Sequence, residues 1–211
     1  MNSQHVFSDP DLAELDRIWP LGRQLVVPEH GDIVVVGAYE GRYMTYLRDL
    51  FPTASLTGYE PQTAKFDILK SRFAGQQQVI VFNAGLATAA RSVLLGNIGT
   101  DGATVATTSN HGYAKIKMWD AVEELSSHLS IDLLLMNCEG SEWPLIPYIL
   151  DEMLHHRIRS MAIQFHPQYV SIERCNRVVS YIREYYTQEY FDWPNWCYFV
   201  RMEKPYNVIS G

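Results

Sequence analysis

Ile33, Val34, Val35 and Val36 form an unbroken β-branched run that stops at Gly37. A strand that alternates with no polar residue has no face for water, so it must be covered on both sides, as in a parallel sheet flanked by helices. The residues that follow supply those helices. Tyr43, Leu47, Leu50 and Phe51 fall on one helical face before Pro52, and a second strand covers residues 55–60. A second helix carries Phe66, Leu69 and Phe73, and a third strand, residues 79–82, ends at Asn83. Strand, helix, strand, helix, strand in this order implies right-handed crossovers and an open α/β sheet, doubly wound and mostly parallel.

The alternation resumes after residue 130. A strand is expected over 131–136, a helix over 145–154 and a strand over 161–165; Cys175, Val178, Val179, Ile182, Tyr185 and Tyr186 then form one helical stripe. Residues 189–202 hold two aromatic-rich runs separated by Asp192-Trp193-Pro194-Asn195, which predicts an antiparallel C-terminal edge hairpin. Residues 88–119 break the pattern and predict an irregular insert, with β-like runs near 93–95, 104–107 and 115–118 between Gly96, Gly99, Gly102 and Gly112. Ser8-Asp9-Pro10 reads as a helix start, followed by Leu12, Leu15, Ile18 and Trp19 at helical spacing. The expected organisation is an N-terminal helical extension, 1–30, and one domain, 31–211.

At 211 residues, 47% apolar and 19% charged, the chain suits one substantial core. Cys138, Cys175 and Cys197 have no CxxC spacing and predict reduced, structural thiols. The net charge of −7 opposes bulk nucleic-acid binding, which depends on Lys and Arg releasing counterions. Residues 1–20 lack the apolar core of a signal peptide, and no stretch nears the roughly 18 apolar residues of a spanning helix, so a cytoplasmic protein without membrane contact is expected.

In open α/β sheets ligands bind beyond the carboxyl ends of the strands, where strand order reverses. Gly37-Ala38-Tyr39-Glu40-Gly41 occupies such a position after the first strand. The dinucleotide fingerprint GxGxxG is missing, and Glu40 places negative charge where a pyrophosphate would sit, so an NAD(P)-dependent reductase is disfavoured. A ligand with an amino group and a sulfonium suits the loop better. Glu60 ends the second strand, where an acidic side chain accepts hydrogen bonds from ribose hydroxyls. A nucleoside-bearing ligand without diphosphate is expected.

These segments, together with Asp132-Leu133-Leu134-Leu135-Met136-Asn137-Cys138-Glu139-Gly140-Ser141-Glu142, resemble the FkbM-type S-adenosylmethionine-dependent methyltransferases. That family carries a GAN-x-G loop, an FEP-like strand end, here Tyr59-Glu60-Pro61, and a DLLKIDVEGAE-like block. The resemblance spans residues 32–143 in outline and is carried by those three segments. It implies a Rossmann-like class I methyltransferase fold with S-adenosylmethionine as cofactor, held by Gly37, Ala38, Tyr39, Gly41, Glu60, Pro61, Asn83, Ala84 and Asn137. Asn83 and Ala84 match the strand end near the adenine. Two departures stand out: Tyr39 replaces the usual Asn, and Leu135-Met136-Asn137 replaces Lys-Ile-Asp.

The expected activity is O-methylation of a hydroxyl on a small-molecule or glycan acceptor; the alternative, suggested by Leu135 and Asn137, is a cofactor-binding, non-catalytic module or partner subunit. A hydroxyl acceptor needs a general base. The candidates are His166, at the ligand end of the fifth strand in Gln164-Phe165-His166-Pro167, and Glu139, after the fourth. His111 in the insert reads as a solvated loop residue or a lid group. Glu139, Glu142 and His166 are conceivable metal ligands, but their spacing carries no zinc signature and no metal is expected. Trp143, Tyr190, Trp193, Trp196 and Tyr198 read either as a platform at the site's mouth or as core. His155-His156 reads as a solvated helix end.

Overall fold

The structure is a computed structural model that describes residues 19–96, 104–105, 113–192 and 196–202. The expected N-terminal helix, His111 and Trp193 lie outside these residues.

The strands β1 (Asp32–Val36), β2 (Ser55–Tyr59) and β3 (Val79–Phe82) alternate with helices α1 (Arg42–Leu50) and α2 (Thr63–Arg72). Then come β4 (Gly85–Ala87), β5 (Arg91–Gly96), β6 (Thr104–Val105), β7 (Tyr113–Asp120) and α3 (Ala121–Ser126). The chain continues through β8 (Leu133–Met136), α4 (Glu142–Asp151), β9 (Ser160–Gln164), α5 (Ile172–Ile182), β10 (Tyr186–Asp192) and β11 (Trp196–Arg201). Seven strands form one sheet in the order β10-β11-β9-β8-β1-β2-β3. Every neighbouring pair from β3 to β9 is parallel, as the β-branched run required.

The C-terminal pair is the antiparallel edge hairpin expected from the sequence, with the later strand innermost. β11 lies between β9 and β10 and is antiparallel to both, which leaves β10 as the outermost strand. The helical stripe ends early: α5 stops at Ile182, and Tyr186 opens β10. Tyr185 and Tyr186 share the helical period by coincidence, because Met202 N–H donates to the Tyr185 carbonyl and draws the chain into the sheet.

Alternate residues of the central strands serve two cores. Val34, Val36, Leu134, Met136, Met161 and Ile163 pack with α3, α4 and α5 on one face. Ile33, Val35, Leu133, Leu135 and Ala162 pack on the other with α1, α2 and the segment containing Trp19 and Leu21. Trp143 belongs to the first core, Trp196 and Tyr198 to the second, and Tyr190 packs against the second. Trp143, on α4, and Trp196 and Tyr198, on a strand covered on both faces, are buried; Tyr190 is half-buried. His155 is also buried, with its ring 4.0 Å from that of Tyr185.

The 88–119 segment is more regular than expected. β5 and β7 pair antiparallel from Arg91↔Met118 to Gly96↔Tyr113, β6 extends β5, and β4 pairs in parallel with β7, giving a second sheet in the order β4-β7-β5-β6. Ala87, Leu95, Ile116 and Met118 form its small core. Among the described residues, no helix is long and apolar enough to cross a membrane.

Candidate functional site

Strand order reverses between β1 and β8, and a cavity of about 320 Å³ opens there at their carboxyl ends. Gly37, Ala38 and Tyr39 form one wall, Glu60, Pro61 and Gln62 a second, and Asn137, Cys138, Glu139 and Ser141 a third. The second sheet closes it with Leu95, Ile116 and Met118. Arg42 and Gln164 also border it.

The first wall is shaped by backbone. Gly37 N–H and Ala38 N–H both donate to the Tyr59 carbonyl at 3.0 Å, which folds the chain sharply across β2. Gly37 sits at φ +82°, and a Cβ there would fall 1.8 Å from the Asn137 carbonyl oxygen. Only glycine lets β1 and β8 end this close together. Tyr39 is also left-handed at φ +49°, a conformation that costs a non-glycine residue on the order of 1–3 kcal/mol and clusters at functional sites. Its ring lies under the Lys65 ammonium, 4.4 Å from the centroid, and the same ammonium pairs with Glu40 at 2.7 Å. The Glu40 charge is thus neutralised within the protein.

Glu60 is the central acid of the cavity. It is buried, its Oε2 accepts from Tyr39 N–H and its Oε1 from Gln62 N–H, both at 2.8 Å. Burial pushes the carboxyl up to about 7, against the pull of those two amides and of the Lys65 charge. Asn83 lies behind this wall: its Nδ2 donates to the carbonyls of Glu60 and Pro61 at 3.0 and 3.3 Å, fixing the end of β2 from outside. Ala84 is fully buried, and Gly41 caps the start of α1; neither belongs to the cavity wall.

Asn137 Oδ1 is buried at the cavity and has no hydrogen-bond partner among the described residues. An unsatisfied buried acceptor costs about 1–3 kcal/mol, a cost a bound donor removes. Leu135, the other departure from the family's block, is fully buried in the second core and is not part of the wall.

The sequence-based candidates His166 and Glu139 do meet. His166 Nε2 lies 3.2 Å from Glu139 Oε1, and Nδ1 lies 3.1 Å from Glu142 Oε1. Burial opposes a charge on this ring, but the hydrogen bonds and charges of Glu139 and Glu142 outweigh it and raise the imidazole to about 9. His166 is therefore a cation at neutral pH and carries its proton already. Glu139 forms part of the wall, whereas His166 sits behind it. For Cys138, also in the wall, burial and the adjacent Glu142 raise the thiol well above the ordinary value, which disfavours the nucleophilic thiolate. No group of three or more His, Cys, Asp or Glu suited to hold a metal occurs among the described residues.

Sequence reasoning missed Arg42. It is the first residue of α1, it borders the cavity, and it has no ion-pair partner among the described residues. The available signal was its sign: a cation in a helix's first turn opposes the helix dipole and needs another reason to be there. Gln164 is marked in the sequence only by its position at the end of β9.

No protein-family model matches the chain, and no curated protein matches its sequence. Solved structures do share its fold. A fibrillarin/Nop5p complex matches with a TM-score of 0.55 at 10% identity, over 90% of this chain and 81% of that one. The precorrin-6y C5,15-methyltransferase of Geobacter metallireducens matches with a TM-score of 0.52 at 12% identity, covering 89% and 86%. The 23S rRNA methyltransferase ErmE matches with a TM-score of 0.50 at 12% identity, covering 90% and 69%. The chain thus has the Rossmann-like fold of class I methyltransferases, a likeness of architecture at these identities. The narrower FkbM resemblance rests on the three sequence segments alone.

Proposed function

We propose that the chain is an S-adenosylmethionine-dependent methyltransferase that O-methylates a hydroxyl of a small molecule or glycan. The observation that carries this reading is the unpaired Asn137 Oδ1 in a cavity at the sheet's switch point that Gly37 and Glu60 also line. The residues fit the cofactor: Glu60 offers carboxylate lone pairs to ribose hydroxyls, Asn137 Oδ1 accepts from an ammonium, and Arg42 complements a carboxylate. Gly37, Ala38, Tyr39 and Pro61 supply close backbone and ring surface, while Gly41, Asn83 and Ala84 act from behind. The cofactor contributes a methyl group already activated on a sulfonium, so the protein's task is alignment and exclusion of water.

Glu139 is the proposed base, because its carboxylate borders the cavity while His166 is already protonated. With an acceptor hydroxyl aligned on the activated methyl group, Glu139 would take up the hydroxyl proton as the oxygen is methylated. The hydroxyl acceptor comes from the family resemblance, and the net charge of −7 favours a small molecule or glycan over bulk nucleic acid. The fold neighbours leave the acceptor open, since their names include a precorrin and an rRNA methyltransferase. The chain's place is proposed to be the cytoplasm, in a domain spanning 31–211 with no metal.

The test is calorimetric titration with S-adenosylmethionine, S-adenosylhomocysteine and NAD, on protein first shown free of bound ligand. Micromolar binding of the first two, weakened at least tenfold by Glu60→Ala, is expected. Absence of binding by both overturns the reading, and binding of NAD alone would move the protein to redox chemistry.

A further inference from the structure

The Glu139-Gly140-Ser141-Glu142 segment ends in a carboxylate that points away from the cavity. Glu142 is fully buried, yet it has four donors: Gly140 N–H at 2.9 Å, His166 N–H at 2.8 Å, His166 Nδ1 at 3.1 Å and the Cys138 thiol at 3.6 Å. A buried carboxylate is tolerated only when so satisfied. Its partners lie on two different connections, the turn after β8 and the turn after β9, so one side chain joins both strand ends at the site.

The turn it holds is strained. Glu139 and Gly140 are consecutive left-handed residues, at φ +49° and +98°, and a Cβ on Gly140 would meet the Tyr169 ring at 2.7 Å. This conformation brings the Glu139 carboxylate to the cavity wall and within 3.2 Å of His166 Nε2. Trp143 Nε1 donates to the His166 carbonyl at 2.9 Å and fixes the histidine backbone as well.

We propose that Glu142 and His166 are positioning residues: Glu142 supplies the buried counter-charge for an imidazolium at His166, and that imidazolium orients the Glu139 carboxylate at the cavity. The role of Glu139 as base rests on the reading given above; the Glu142–His166–Glu139 chain does not. His166 thereby changes from proton acceptor to fixed cation. The titratable groups facing it are Glu139 and Glu142, with the Tyr169 ring centroid 6.2 Å away and the Cys138 thiol on the far side of Glu142. Tyr169 and Cys138 are both raised, by burial first and by the neighbouring glutamates, and stay neutral near pH 7. The two carboxylates are therefore the partners that set the charge on the ring.

The experiment is side-chain 15N NMR of the histidines of the full chain from pH 5.5 to 10, in wild type, Glu139→Gln, Glu142→Gln and Glu142→Asp. The expected result is a His166 ring protonated on both nitrogens at pH 7.5. Its midpoint should fall by about 1 unit in Glu139→Gln and by more in Glu142→Gln, the range expected for removing an adjacent opposite charge. If Glu142→Gln does not fold, Glu142→Asp keeps the test alive by retaining a raised midpoint. A neutral ring at pH 7.5, or a midpoint unmoved by Glu139→Gln, overturns the proposal. A purely packing role for His166 would not produce these shifts. Titration of wild type with S-adenosylhomocysteine separates the two ideas: failure to bind removes the methyltransferase reading and leaves the charge chain standing.

Discussion

Gly37 and Glu60 show how much of the cavity depends on single atoms. Any Cβ at Gly37 meets the Asn137 carbonyl, at a backbone φ that L-residues rarely adopt. Gly37→Ala should therefore lower stability by at least about 2 kcal/mol in denaturant unfolding and abolish S-adenosylhomocysteine binding. Glu60 ties affinity to pH. Its carboxyl titrates near 7 in the folded protein, and ribose hydroxyls need the charged form as acceptor. Binding should strengthen as pH rises from 5.5 to 7, by up to about tenfold per unit, and level off above. A flat profile in wild type, or one unchanged in Glu60→Gln, would count against that role. His166 acts on stability with the opposite kind of group. Its folded value of about 9 exceeds the ordinary 6.5, so its contribution, on the order of 3 kcal/mol, is complete below pH 6.5 and lost as pH rises through 9. Denaturant melts at pH 6 and pH 10 should show that loss in wild type and much less of it in His166→Gln.

At the scale of elements, the second sheet is the part of the site with least support. Among the described residues its core consists of Ala87, Leu95, Ile116 and Met118, with Val93 against it, and Leu95, Ile116 and Met118 also face the cavity. Ile116→Ala and Met118→Ala should each cost about 2–5 kcal/mol in stability, while lowering ligand affinity severalfold by calorimetry. An affinity unchanged by both variants would mean that the sheet only roofs the cavity. The central strands were legible because β-branched runs such as residues 33–36 and the apolar run 133–136 announce burial on two faces, and Gly37 and Glu60 could be placed at the cavity because a switch point opens a crevice beyond the strand ends. Glu142 was not legible in that way. Its role depends on a partner 24 residues away across a strand connection, and no local period encodes such a contact. The aromatic residues of β11 were ambiguous for a related reason: Trp196, Cys197, Tyr198 and Phe199 are buried on both faces, so the alternation that marks an inside and an outside is missing.

Across the whole molecule, distant segments are fastened by aromatic contacts. The Trp19 ring lies 4.8 Å from Tyr43 and 5.2 Å from Trp196, and Tyr43 lies 5.3 Å from Trp196. The segment before β1, the helix that starts at the cavity and the strand β11 thus share one cluster. Tyr43 also forms part of the cavity wall, so Trp196→Ala should cost about 3–5 kcal/mol in unfolding measurements and weaken ligand binding at a distance.

The position of β11 inside β10 has a consequence for synthesis. Tyr186–Asp192 leaves the ribosome before Trp196–Arg201, yet it can reach the sheet only through that later strand. β10 has no docking site of its own on the nascent domain, and the flank of β9 stays open until both strands are available. The cavity walls contributed by β1, β2 and β8 are made early, whereas the sheet that supports them is sealed by one late hairpin arriving as a unit. A nascent chain stalled anywhere before β11 would present an unpaired, apolar strand edge at β9, a template for misassembly.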